Sequence, residues 1–94
     1  MEKDSINQRY SDLIEESKAY THGFWKPEDF KTWGKKALDI LDELCGINSK
    51  YYTTFLRTHH EALVLGTDDS RFNTYVSVCI TILRSAFNEF EHKS

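Results

Sequence analysis

From Phe72 to Phe90 the residues Phe72, Val76, Cys79, Leu83, Ala86 and Phe90 step by four, three, four, three and four. That alternation keeps side chains on one face of an α-helix for roughly five turns. A single helix cannot bury such a seam alone, so the remaining chain must supply elements to cover it. Inside the seam, Val76-Ser77-Val78-Cys79-Ile80-Thr81-Ile82 alternates apolar and small polar residues and is β-branched, the local signature of a strand. A strand there would strand Leu83, Ala86, Phe87 and Phe90 as a separate helical fragment with no Gly or Pro between. One helix explains all of them at once. Val78, Ile80 and Ile82 then lie off the seam, which makes the last helix either central or buried on a second face against another chain.

The glycines at 23, 34, 46 and 66 and the single proline, Pro27, mostly fall where the apolar period breaks, and they divide the chain into four helices. The first runs from about Asp4 to Thr21, with Ile6, Tyr10, Leu13, Ser17 and Tyr20 on one face and Ile14 beside them. The second begins at Pro27, with Glu28 and Asp29 set to complement the positive end of the helix dipole. Its stripe is Phe30, Trp33, Ala37, Ile40, Leu41 and Leu44, and Gly46 is placed to cap it. Asn48 and Ser49 are N-cap types, after which Tyr51, Tyr52, Phe55, Leu56 and His59 recur at helical spacing up to Leu65-Gly66. The fold expected is all-α: a small four-helix bundle, one domain over residues 1–94, with the C-terminal helix central. Leu13, Trp33, Leu41, Leu44, Phe55, Val76, Cys79 and Leu83 form its core.

Composition narrows function mainly by exclusion. Twelve Lys and Arg against fifteen Asp and Glu leave a charge of −3, so no whole-domain field draws in nucleic acid or an anionic membrane. The N-terminus opens MEKDSINQRYSDL without a signal-peptide apolar run, and no later stretch approaches a membrane span. A cytoplasmic protein is expected. Cys45 and Cys79 lack metal-ligand spacing and read as buried, reduced thiols.

The residue types that can carry chemistry do not assemble into a signature. His59 and His60 are adjacent and so diverge by about 100 degrees on a helix, whereas a zinc pair needs positions i and i+4. One is expected at the helix interface and the other in solvent, with no metal. Arg57-Thr58-His59-His60 misses the Arg-x4–6-His spacing of the HEPN ribonucleases, and no phosphate-cradling glycine loop or nucleophile elbow is present. Lys31, Lys35 and Lys36, with Lys26 before them, give the second helix a basic face of the ordinary solvated kind. Phe24, Trp25, Phe30 and Trp33 are expected mainly in the core, with Trp25 partly exposed in the connection.

One pattern goes further. Phe30, Trp33, Lys36, Ala37, Leu41 and Leu44 are followed by Gly46-Ile47-Asn48-Ser49-Lys50-Tyr51-Tyr52 and Phe55, and later by Ile80-Thr81-Ile82-Leu83-Arg84-Ser85-Ala86 with Glu89 and Glu91. This arrangement resembles the small helical domain near the N-terminus of bacterial proteins that carry TIR or nucleotide-binding TIR-like effectors in anti-phage defence. The resemblance implies a non-catalytic accessory module for self-association or recognition, partnered by protein, with no cofactor. The polar run Glu91-His92-Lys93-Ser94 would suit the start of a linker into an effector, or the end of a stand-alone relative acting on a separate partner. Contact residues expected on this reading are Tyr51, Tyr52, Val78, Ile82, Trp25 and Lys36. The alternative is a sensor or sponge for a small ligand or nucleotide, with Lys26, Lys35 or Lys36 on phosphate and Trp25 stacking on a base.

Overall fold

The computed structural model describes residues 2–21, 26–66 and 69–93, and none of these is in a strand. Four helices follow one another: α1 (Glu2–Thr21), α2 (Pro27–Cys45), α3 (Lys50–Leu65) and α4 (Phe72–Lys93). Val76–Ile82 is helical throughout, so the seam prevails over the local strand signature because its side chains have three helices to pack against.

Helix ends follow local chemistry. α2 opens on Pro27 with Glu28 and Asp29 in its first turn. It closes at Gly46, whose φ of 85° lies in the region that side chains avoid, and whose N–H donates to the Asp42 carbonyl at 2.9 Å. Ser49 Oγ then accepts the Tyr52 N–H at 3.0 Å and starts α3.

α2 and α4 each pack against all three other helices, while α1 and α3 lie on separate flanks of that pair and do not meet among the described residues. The centre of the bundle is therefore shared between the last helix and α2. Phe30, Trp33, Ala37, Ile40 and Leu41 of α2 face Phe72, Val76, Cys79, Leu83, Ala86 and Phe87 of α4, with Phe55 and Ala62 from α3 and Ile6 and Leu13 from α1. Phe30 meets Phe72 edge-on at 4.9 Å between ring centroids, a geometry the ring quadrupoles favour.

Four expectations need correction or limit. Leu44 is half-buried, because the end of α2 is covered only from one side, by Tyr51, Ala86, Glu89 and Phe90. Leu56 is exposed, since the next position after Phe55 turns about 100 degrees away from the core. Cys45 is exposed at the last turn of α2, whereas Cys79 is buried and burial pushes its thiol up to about 12. Ile80 and Ile82 are half-buried against the core, which leaves Val78 as the exposed large apolar residue of α4. Phe24 and Trp25 lie outside the described residues.

Candidate functional site

His59 is buried, and it is a packing element. Its Nε2 donates to the Phe30 carbonyl at 2.9 Å, and its ring stacks on Phe30 at 4.4 Å and lies 5.9 Å from Phe55. The Phe30 carbonyl belongs to the α2 ladder that Gly34 continues, so the imidazole lies directly on the α2 backbone. Gly34 makes room for it: a Cβ there would stand 1.9 Å from His59 Nε2. Donation to a carbonyl fixes the Nε2–H tautomer of a neutral ring. Burial pushes the imidazole below its ordinary value, against the opposing pull of the Phe30 hydrogen bond. His60 and Arg57 point outward, so these three residues do not converge on a reacting atom. Among the described residues no group of His, Cys, Asp and Glu is arranged to hold a metal.

Lys36 lies in a groove of about 320 Å³ between α1 and α2, lined by Arg9, Asp12, Leu13, Glu16, Lys36, Asp39 and Ile40. Its Nζ pairs with Glu16 at 3.7 Å, and Arg9 pairs with Glu43 at 2.5 Å. A phosphate brought to Lys36 would face the carboxylates of Asp12, Glu16 and Asp39, and like charge at that range opposes it. Leu13 and Ile40 lie buried beneath the groove. Its charge pattern suits joining two helices better than recognising a nucleotide.

The expected contact residues separate in space. Tyr51 points toward α4, where its hydroxyl donates to Glu89 Oε2 at 2.5 Å, and that bond holds the phenol above its ordinary value. Val78, Ile82 and Glu89 are spaced by four and seven on α4 and share one face, so Tyr51, Val78 and Ile82 fall on the α3–α4 side of the bundle. Tyr52, one position on, turns away from them by about 100 degrees. Lys36 is on the α1–α2 side, and Trp25 is outside the described residues.

Two residues that sequence reasoning did not select are prominent on the surface. Val64 is 73% exposed and Leu56 47%, with Ile47 at 56% just before α3 and Val78 at 40% on α4. Beside Val64 an open groove of about 450 Å³ is lined by Pro27, Glu28, Lys31, His60, Leu63 and Val64. A helix periodicity that places Phe55, His59 and Ala62 inside also places Leu56 and Val64 outside, and that was the available signal. No described helix is long and apolar enough to cross a membrane. Compared with protein families, curated proteins and solved structures, the chain has no match.

Proposed function

We propose that this domain is a non-catalytic protein-interaction module, accessory to an effector of a bacterial defence or stress response, with its contact surface on α3 and the neighbouring face of α4. The observation that carries the reading is where exposed large apolar side chains fall: Ile47, Leu56, Val64 and Val78, with none of that size in α1 or α2 among the described residues. Scattered exposed apolar residues are normal, but three of these four fall within residues 47–64, apolar surface that association with protein would dehydrate. The family resemblance of Phe30 to Glu91 points the same way. The acidic lining around Lys36 weighs against the nucleotide alternative.

Backbone amide spectra of the labelled domain test this directly. Raising the concentration from low micromolar toward millimolar should move signals of residues 47–64 and around Val78. Spectra indifferent to concentration, combined with shifts at Arg9, Lys36 and Asp39 on adding a nucleotide triphosphate, would instead establish a ligand-binding role.

A further inference from the structure

We propose that the solvent face of α3 pairs antiparallel with α3 of a second copy of this chain, about a twofold axis at His60. The inference rests on the interaction reading above and names its partner and register. Thr53, Leu56, His60 and Val64 follow steps of three, four and four, so they share one face of α3, and all four are exposed. Arg57 and Glu61 flank this face on one side, four residues apart and both exposed. Neither has an ion-pair partner among the described residues. On the other side lie half-buried Leu63 and the groove formed with Pro27, Glu28 and Lys31 of α2.

A twofold contact is self-complementary: if residue i meets residue j, then j meets i. With the axis at His60, residue 60+n meets residue 60−n, so antiparallel helices bring Leu56 opposite Val64 of the second copy, beside its open groove. Val64 in turn comes opposite Leu56, and on the charged flank Arg57 lies two residues, about 3 Å of helix rise, from the level of Glu61 of the second copy, within reach of its long side chain. The two unpaired charges of each chain are thereby satisfied twice, once on each side of the axis. A parallel pairing would set Arg57 against Arg57 and Glu61 against Glu61, so the charges select the antiparallel arrangement. α3 has 16 residues, about 24 Å of helix, and one such contact is smaller than the roughly 1,200–2,000 Å² of stable interfaces. The dimer is accordingly weak and concentration-dependent.

Sedimentation velocity on the whole domain, over low-micromolar to near-millimolar concentration, reads the outcome. Wild type should pass from monomer to dimer. Arg57→Glu and Glu61→Arg should each weaken self-association about tenfold or more, because each converts two attractions into two repulsions. Mixing these two variants should restore a dimer, and the double variant Arg57→Glu/Glu61→Arg should dimerise like wild type. Both positions are exposed, so unchanged circular dichroism melts keep folding out of the comparison. A wild-type dimer that neither single charge variant nor Leu56→Asp weakens would overturn the α3 pairing while leaving the interaction reading intact. Weakened single variants that mixing does not rescue would also overturn it. A wild type that stays monomeric throughout would remove the pairing and self-association together.

Discussion

α1 and α3 cover separate flanks of the same α2–α4 pair, and different physics holds each in place. α3 enters the aromatic core itself: Phe55 and His59 are buried among Phe30 and Trp33, and the imidazole lies in the space that Gly34 leaves on α2. α1 contributes buried Ile6 and Leu13 but otherwise docks through discrete attachments. The Trp33 indole N–H donates to the Leu13 carbonyl at 3.0 Å, and Tyr10 stacks on Phe87 at 4.0 Å. Two ion pairs in contact with solvent, Arg9–Glu43 and Lys36–Glu16, add to these. Ser17, though buried, spends its hydroxyl on the Ile14 carbonyl of its own helix, and Asn7 Oδ1 is buried without a partner among the described residues. A helix that shares the core is lost only when the core is lost, whereas a helix held by separable contacts opens by itself. α3 is thus the rigid flank, suited to carry a contact surface, and α1 is the detachable one.

The largest expected effect strikes the α3 side. Gly34→Ala drives a Cβ into the His59 ring and should cost about 3 kcal/mol in urea unfolding, although alanine is the better helix former. In a His59→Ala background the same substitution meets no imidazole, and its cost should disappear. Additive losses in this double-mutant cycle would show that Gly34 and His59 are not coupled, and the contrast between flanks would weaken.

On the α1 side the matching change is smaller. Trp33→Phe keeps a ring in the core but removes the donor to Leu13, which should cost about 1 kcal/mol and speed hydrogen exchange in α1 more than in α3. Equal acceleration in both helices would mean that this hydrogen bond does not anchor α1 in particular.

Acid separates the flanks by another route. Unfolded, His59 takes up its proton near the ordinary 6.5, and folded it does so only at lower pH. Between those two values the unfolded chain binds more protons, so stability rises with pH there. Lowering the pH from neutral through 6.5 should therefore destabilise the domain, with the loss levelling off below the folded value. His59→Gln should flatten that part of the profile, and an unchanged slope would assign it to other groups.

The smallest effect belongs to the surface pairs. Lys36→Glu breaks the link to Glu16, whose partners are both well exposed, and should change stability by less than about 1 kcal/mol. A larger loss in thermal melts would show that α1 depends on charge more than its exposure implies.

Periodicity made the four helices and most of the core legible, because each stripe repeats its signal over several turns. Ser49 and Gly46 marked the boundary between α2 and α3 through local hydrogen bonds that depend on no distant residue. The Gly34–His59 contact was not legible, since it joins two helices through a single backbone approach that leaves no local pattern. Gly34 in mid-helix was its only trace. On the surface, the divergence of about 100 degrees that separates His59 from His60 also separates Tyr51 from Tyr52, and only tertiary packing shows which of each pair faces a neighbour. Periodicity alone leaves Leu56 beside the core stripe, because the width of a helix's buried face depends on its neighbours, and among the described residues α3 has two where α2 and α4 have three.

Native-state hydrogen exchange, followed residue by residue under mild denaturant, tests the difference between the flanks most directly. Amides of Ile6 to Ser17 in α1 should exchange through a local opening, at a free energy below that of global unfolding and nearly independent of denaturant. Amides around Phe55 to Ala62 in α3 should exchange only with the α2 and α4 core. Protection in α1 equal to that in α3, with the same denaturant dependence, would contradict a detachable first helix.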